Sequence, residues 1–145
     1  MITKREYMDI YDVVGAAMEV HKTLGRGMSE PLYQEALEME MKANGWETER
    51  EKVLLCFYKE HELKKHYIAD FYYKGILIEL KSVEKLCSEH RAQLINYMRI
   101  SRQKKGLLIN FGEKSLRTER YIYDEENDDF ILLTQNNYKN YIIDI

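Results

Sequence analysis

Proline and cysteine are scarce in this chain of 145 residues, and long apolar runs are missing. The single proline, Pro31, excludes proline-rich linkers and collagen-like segments. The two cysteines, Cys56 and Cys87, have neither a CxxC pair nor a Cys/His cluster around them, which is typical of reduced thiols rather than of a zinc site. No stretch approaches the ~20 apolar residues of a membrane helix, and the charged segment Met1–Tyr11 lacks the apolar core of a signal peptide. We therefore expect a cytoplasmic protein without a membrane partner.

An excess of positive charge is also missing, because 22 Lys and Arg residues stand against 25 Asp and Glu residues, for a net charge of -3. That balance excludes a strongly basic, histone-like nucleic-acid binder, although a local basic patch is compatible with it. Hydrophobic residues make up 45% of the chain, which is enough to bury a core. A chain of this length, with no internal repeat or linker, predicts one domain spanning residues 1–145.

Apolar residues that recur at steps of three and four predict three amphipathic helices. The first covers Glu6–Leu24 and ends at the glycines that follow it. The second starts near a capping Ser29 and stops at Asn44-Gly45. The third covers Ser88–Ser101, with Ser88 as its cap. The predicted apolar faces are Tyr7, Ile10, Tyr11, Val14, Ala17, Met18, His21 and Leu24 in the first helix, Leu32, Tyr33, Ala36, Leu37, Met39 and Met41 in the second, and Ala92, Leu94, Ile95, Tyr97, Met98 and Ile100 in the third.

Shorter apolar segments bounded by glycines and charged residues predict the strands. Lys74-Gly75 is a hairpin turn signal, so the segments on its two sides are expected to pair in antiparallel fashion. Leu107–Phe111 is apolar enough to be buried on both faces. The predicted strands are Val53–Tyr58, Leu63–Tyr73 and Ile76–Lys81, with a turn at Glu60–Glu62, then Leu107–Phe111, and then Arg120–Tyr123 paired with Phe130–Leu133 around the acidic turn Asp124–Asp129. Together they predict an α/β fold with a mixed sheet.

Three charged residues lie in the strands on the two sides of this hairpin. Asp70 precedes the turn, and Glu79 and Lys81 follow it. Residues two apart on a strand share a face, so Glu79 and Lys81 lie side by side, and the hairpin places Glu79 opposite about Phe71 or Asp70. Two carboxylates can hold a hard divalent cation such as Mg²⁺, which polarises a phosphate, and a lysine can stabilise developing negative charge. The spacing outlines a phosphodiester hydrolysis site.

A plainer interpretation of the same residues is an exposed salt bridge at a strand edge, worth about 0–1 kcal/mol. Acid-x-base triplets arise several times by chance in a chain of this composition, so Glu79 and Lys81 alone carry little information. Two facts add weight to a metal site. The triplet lies in the apolar strand Ile76–Leu80, where charge is costly unless it is paired or used, and Asp70 is at hairpin distance. On spacing alone, both interpretations stay open.

Larger motifs distributed along the chain add to this pattern. The spacing Asp-x8-Glu-x-Lys resembles the signature of the PD-(D/E)xK nuclease superfamily, and seven ordered blocks resemble the small GxxExxY family within it. The resemblance covers residues 10 to about 123. The blocks are Glu19–Gly25, Gly27–Tyr33, Ala36-Leu37, Ala69–Phe71, Ile78–Lys81, Ala92–Tyr97 and Gly106–Gly112.

The resemblance implies a restriction-endonuclease-like core, in which α-helices flank a central mixed β-sheet. It also implies that Asp70 and Glu79 ligate Mg²⁺ or Mn²⁺ and that Lys81 is the catalytic lysine. Ala69 stands where the superfamily signature has proline, a common departure that leaves the ligand aspartate in place.

Glu30 matches the glutamate of the GxxExxY motif. The resemblance implies that a helix glutamate at this position approaches the metal and its water, as a third carboxylate or as a base. The alternative is that Glu30 caps the second helix and complements its dipole. Both interpretations stay open.

Gln93 and Tyr97, one turn apart on the third helix, resemble the extra Q-x-x-x-Y motif of the RecB-like branch of the superfamily. That likeness implies that Gln93 helps to arrange the lysine and the scissile phosphate; the alternative is an amide bonded to a neighbouring helix. Tyr97 is a candidate for contact with nucleic acid. The segment Arg91–Lys105 holds five basic residues and no acid, so Arg91 and Arg99 are candidate phosphate contacts, with a solvated helix face as the alternative.

From these features we predict a Mg²⁺-dependent nuclease that hydrolyses DNA phosphodiester bonds and binds the backbone or shape of its substrate. The rival class is a non-catalytic module that binds nucleic acid or protein on a nuclease fold. A phosphodiesterase acting on RNA or small nucleotides is a third interpretation. The apolar tail segment Tyr141–Ile143 is a candidate interface for a homodimer.

Overall fold

Eight β-strands and three α-helices follow one another along residues 1–144, the part of the chain that the computed structural model describes. None of these helices is long and apolar enough to cross a membrane. In chain order the elements are β1 (Ile2–Thr3), α1 (Lys4–Leu24), α2 (Glu30–Ala43), β2 (Glu49–Tyr58), β3 (His61–Tyr73), β4 (Ile76–Lys81), α3 (Ser88–Ser101), β5 (Lys105–Asn110), β6 (Arg117–Asp124), β7 (Asp129–Leu133), a short 3-10 helix (Tyr138–Asn140) and β8 (Ile142–Ile143).

Six of the strands form one mixed sheet in the order β2-β3-β4-β5-β6-β7. β4 and β5 run parallel, and the other neighbouring pairs are antiparallel. A parallel pair needs a crossover connection, which α3 supplies. β1 and β8 pair separately as a short parallel ribbon. This architecture confirms the predicted restriction-endonuclease-like core, a central mixed sheet flanked by helices.

Both faces of the sheet are covered at its centre, where the parallel pair lies. α1 and α2 pack on one face, called here the α1/α2 side, and α3 packs on the other, the α3 side. β4 shows the alternation between them: Ile76, Ile78 and Leu80 join the core on the α1/α2 side, and Leu77 joins the core on the α3 side. β5 is buried along its whole length, as predicted.

The buried face of α1 is rotated from the predicted one. Val13 and Val20 are buried, whereas Tyr11 and Met18, predicted as core, are exposed. The helix also begins earlier than predicted, because Thr3 caps it in a capping box with the residue three positions on.

α2 differs from the prediction in which residues are buried, and α3 differs in the residue that caps it. In α2, Leu32 and Met39 are exposed and the polar Gln34 is buried. α3 begins at Ser88 as predicted, but the cap is the preceding residue, Cys87, which has extended backbone and forms a capping box within the first turn.

The β2–β3 hairpin is longer than predicted. Its turn lies at Lys59-Glu60 instead of Glu60–Glu62, and β3 starts at His61. The side chains of residues His61–His66 are all exposed. A strand that is solvated on both faces carries no apolar alternation, which is why the pattern missed its first residues.

The tail returns to the start of the chain. Tyr138, Tyr141 and Ile142 pack, partly buried, against the core on the α1/α2 side. Much of the apolar surface in the segment that was considered for a dimer interface is therefore used within the chain, and the homodimer stays a prediction.

The loop after β4 is held by a buried side chain of β5. The Asn110 side-chain oxygen accepts hydrogen bonds from the backbone N–H groups of Val83 (3.0 Å) and Gly112 (3.1 Å), and its amide donates to the Val83 carbonyl (2.9 Å). Gly112 packs so closely that a β-carbon there would stand 2.1 Å from the Val83 carbonyl oxygen. Asn110 and Gly112 thus define the path of the chain just after Lys81.

Candidate active site

The β3–β4 hairpin builds the site at the end away from its turn. Both residues of the turn, Lys74-Gly75, have left-handed backbone conformations (φ 46° and 79°), as a type I′ hairpin turn requires. The backbone ladder runs from this turn as far as the pair Phe71 and Ile78. The next residues along the two strands are Asp70 and Glu79, so the predicted hairpin brings the two carboxylates to one place.

Beyond that last pair, acidic side chains replace the backbone ladder. The Asp70 carboxylate accepts a hydrogen bond from the Leu80 N–H at 2.7 Å, and the Glu79 carboxylate accepts one from the Asp70 N–H at 3.2 Å. β3 also changes face here: Ala69 packs on the α3 side and Phe71 on the α1/α2 side, although residues two apart on a regular strand share a face. The irregularity opens a gap between the strands that the two carboxylates occupy.

The surroundings of the pair disfavour two negative charges. Glu79 is only 5% exposed, and burial together with the charge of Asp70 raises its pKa to about 8. Burial, with a contribution from the charge of Glu30, also raises the pKa of Asp70. The ammonium of Lys81 acts in the opposite direction on both carboxyls without reversing either shift. These raised pKa values favour a shared proton on the pair near neutral pH, and a bound divalent cation would favour its release.

A second row of polar groups, which the sequence pattern did not predict, reaches Asp70 from α2. Gln34, which is 8% exposed, donates to the Asp70 carbonyl (3.4 Å) and carboxylate (3.5 Å). Arg50 of β2 donates to the Gln34 side-chain oxygen (3.3 Å) and to Glu38 (3.2 Å). Gln34 and Glu38 follow Glu30 at intervals of four residues, so all three lie on one face of α2. This spacing is the sequence signal from which Gln34 and Glu38 could have been predicted.

Glu30 is the first residue of α2, and its side chain is exposed. Its charge reaches Asp70, since it contributes to the raised pKa of that carboxyl. Among residues 1–144, no three His, Cys, Asp or Glu side chains are grouped as metal ligands, so Glu30 does not complete a three-carboxylate set in this structure. Ser29 occupies the cap position without a side-chain hydrogen bond to the helix. The roles considered for Glu30 stay predictions.

The candidate nucleic-acid contacts on α3 lie in different settings. Gln93 donates to the Tyr97 hydroxyl (3.0 Å), and both line a groove that faces the β2–β3 hairpin. Arg91 binds Glu119 through two hydrogen bonds (2.8 and 3.0 Å), so part of its capacity to contact a phosphate is already used. Arg99 is exposed and lies 4.9 Å from the centre of an aromatic ring of β7. Arg99 is therefore freer than Arg91 to meet a phosphate.

The donor set at the hairpin fits a hard divalent cation. Mg²⁺ and Mn²⁺ take oxygen ligands, and Asp70 and Glu79 offer carboxylate oxygens from adjacent strands. Glu79 is buried and Asp70 is partly buried, and the pKa of both carboxyls is raised. A cation between them stabilises their charged forms, because its charge offsets their repulsion. Lys81, two residues from Glu79 on the same strand, adds positive charge for an anionic substrate.

A family model described as the PD-(D/E)XK nuclease superfamily matches residues 8–121, which is most of the chain and includes Asp70, Glu79 and Lys81. No curated protein and no solved structure matches the chain.

Proposed function

The chain belongs to the PD-(D/E)XK nuclease superfamily, and on this premise we propose that it hydrolyses DNA phosphodiester bonds with Mg²⁺, or Mn²⁺, at Asp70 and Glu79. The observation that carries the proposal is the acidic pair itself: a buried Glu79 and a partly buried Asp70, each bonded to the backbone of the opposite strand. We further propose that the chain falls within the narrower GxxExxY family and that residues 1–145 form one domain.

Each proposed catalytic residue has a task that its position supports. Asp70 and Glu79 hold the cation, and the N–H groups that bond them orient both carboxylates before substrate arrives. When bound, the cation polarises the phosphate and lowers the pKa of a coordinated water. Lys81 stabilises the negative charge that develops on the phosphate oxygens.

Other residues assist from the neighbouring helices. Glu30 lies within electrostatic range of Asp70 and is proposed to act as a base or a further ligand once substrate is bound. Gln93 of α3 is proposed to help arrange Lys81 and the scissile phosphate. Arg99, Tyr97 and, less favourably, Arg91 are proposed to contact the nucleic acid.

A cleavage panel tests this function directly. Single-stranded, duplex, branched and supercoiled DNA, together with RNA, are incubated with the purified protein in Mg²⁺ or Mn²⁺, and in EDTA. We expect cleavage of DNA with either metal and none in EDTA. Lys81→Ala should lower the rate by about 10²- to 10³-fold, the cost of removing one group that stabilises transition-state charge. Lys4→Ala, at an exposed lysine on α1, is the matched control and should cleave as wild type does.

Three outcomes would contradict the proposal in whole or in part. Metal-dependent cleavage that survives Lys81→Ala would remove Lys81 from the mechanism. Salt-dependent DNA binding without cleavage of any substrate would favour the non-catalytic binding module, and cleavage confined to RNA would correct the substrate.

A further inference from the structure

A groove of about 800 Å³ lies between α3 and the β2–β3 hairpin. Its walls include the partly exposed aromatic rings of Phe57 and Tyr67 from the hairpin and of Tyr97 from α3. Tyr67 and Tyr97 are in contact, with ring centres 5.1 Å apart, and form one aromatic wall. A volume of this size is within the range of small-molecule binding sites.

The groove and Glu79 lie on the same face of the sheet. Tyr67 and Leu77 both pack on the α3 side. Glu79 is two residues from Leu77 on β4 and so shares that side. Tyr67 precedes Asp70 by three residues, which corresponds to about 10 Å along a strand. A DNA strand held at the acidic pair therefore has its neighbouring nucleotides within reach of the groove.

Polar and charged groups around the rings define what the groove can bind. Gln93 and Asn96 line it with amide groups, which both donate and accept hydrogen bonds. Lys65 and Arg102 lie over the two hairpin rings, 5.3 and 5.2 Å from the ring centres. Glu89 is the acidic residue in the lining. Flat apolar walls, amide edges and neighbouring cations together suit a planar heteroaromatic group attached to an anion.

We propose that this groove receives an unpaired nucleobase of the DNA strand bound at Asp70 and Glu79, so that the substrate class is DNA with unpaired nucleotides beside the cleavage position. The inference rests on the proposed function. Stacking on aromatic side chains, together with cationic contacts to the backbone, is how proteins hold single strands. A base inside a duplex has both faces covered by its neighbours and its pairing edge occupied, so it can enter only after leaving the stack, which costs a few kcal/mol. The cations favour an anionic strand over a neutral peptide.

Equilibrium binding in EDTA tests the groove without any metal-dependent cleavage. The probes are a short single strand and the matching duplex, each carrying 2-aminopurine, whose fluorescence falls when the base stacks. Tyr67→Leu removes the aromatic face but keeps an apolar side chain, and Tyr67→Phe keeps the ring. Tyr11→Leu makes the same change at an exposed position on α1, on the other side of the sheet.

We expect Tyr67→Leu to weaken single-strand binding by about 5- to 100-fold, the range for loss of one stacked base, and to leave duplex binding unchanged. Tyr67→Phe and Tyr11→Leu should bind as wild type does. If circular dichroism shows that Tyr67→Leu is unfolded at the assay temperature, Phe57→Leu at the opposite wall replaces it and carries the same expectation.

Loss of equal size for single strand and duplex, or no loss for either, would overturn the groove proposal. Failure of the wild-type protein to quench 2-aminopurine in the single strand would do the same. The nuclease proposal is judged by the cleavage panel alone. If no DNA is cut but Tyr67→Leu still loses single-strand binding selectively, the groove stands as a single-strand site and the nuclease function falls.

Discussion

Two buried glutamates on the α3 side of the sheet have opposite surroundings. Glu79 of β4 and Glu119 of β6 both lie beside Leu108 of β5 in the ladder, so the three residues form one row across the sheet. Glu79 is 5% exposed and Glu119 is 3% exposed. Position and burial are therefore closely matched, and the two glutamates differ in their partners.

Glu119 is surrounded by donors. It accepts hydrogen bonds from Arg91 (2.8 and 3.0 Å), Arg117 (3.2 Å) and the Tyr121 hydroxyl (2.8 Å). Although burial acts to raise its pKa, these bonds outweigh burial and lower the pKa below its ordinary value. Glu79 has an acidic neighbour instead, and its pKa is raised. Buried carboxylates surrounded by donors are typical of structural roles, whereas buried carboxylates beside a like charge are more typical of functional sites.

The largest expected difference between the two glutamates is in the pH dependence of stability. The folded pKa of Glu79 is about 8 against an ordinary value of 4.5, so folding retains a proton that the unfolded chain has lost. That contribution to stability is complete below about pH 4.5 and is lost as the pH rises through 8. Glu79→Gln is uncharged at every pH, so its unfolding free energy should exceed that of wild type at pH 8 by on the order of 3 kcal/mol.

Urea unfolding in EDTA, from about pH 5 to pH 8, measures this difference. The advantage of Glu79→Gln should grow steadily across the range, whereas Glu119→Gln should show no such gain. Parallel curves for wild type and Glu79→Gln would show that the carboxyl is ionised in the folded protein.

A smaller effect of opposite sign is expected at Glu119. Glu119→Gln replaces hydrogen bonds to a charged acceptor with weaker ones and should cost about 2 kcal/mol of unfolding free energy at pH 7. Because the folded pKa of Glu119 is lowered, its contribution is present above the ordinary pKa and is lost as the pH falls through the folded value. The gap between wild type and Glu119→Gln should therefore narrow in acid. If the difference in unfolding free energy stays constant down to the pH of acid unfolding, the packing of the Glu119 side chain, rather than its charge, is what stabilises the fold.

The smallest expected effect is stabilisation by metal. Mg²⁺ at tenfold its dissociation constant should add about 1.4 kcal/mol to the unfolding free energy of wild type. The dissociation constant should fall as the pH rises toward 8, because Glu79 must lose its proton to bind. Thermal melts with and without Mg²⁺ measure the shift. Glu79→Gln should lose the response and Glu119→Gln should keep it; an equal response in both would place the metal elsewhere.

The acidic pair was within reach of sequence reasoning because it depends on a local signal. The turn at Lys74-Gly75 sets the register of the hairpin, and counting outward from it puts Asp70 opposite Glu79. The buried β5 and the mixed sheet followed from apolar runs in the same way. Counting cannot show that the ladder stops after Phe71, because it assumes a regular strand, whereas β3 changes face between Ala69 and Phe71.

The supporting residues were missed because they depend on tertiary contacts. In the sequence, Gln34 is an ordinary polar residue of a helix, and only the packing of α2 against β3 brings it to Asp70. Arg50 is likewise an ordinary charged residue of a strand in the sequence, and only the position of β2 brings it beside Gln34. The face of α1 was rotated for a similar reason: Tyr11 and Val13 both fit an apolar stripe, and only packing against the sheet decides that Val13 is inside.

The contact between Gly112 and Val83 limits how this sequence can vary over evolutionary time. Any side chain at Gly112 would displace the loop that leaves β4, and with it the strand end that carries Lys81. Under the proposed function, we expect a lineage that keeps the nuclease activity to keep glycine there, even though residue 112 performs no chemistry. Among relatives, we therefore expect replacement of Gly112 together with Asn110 to accompany loss of the proposed activity, even where the acidic residues are kept.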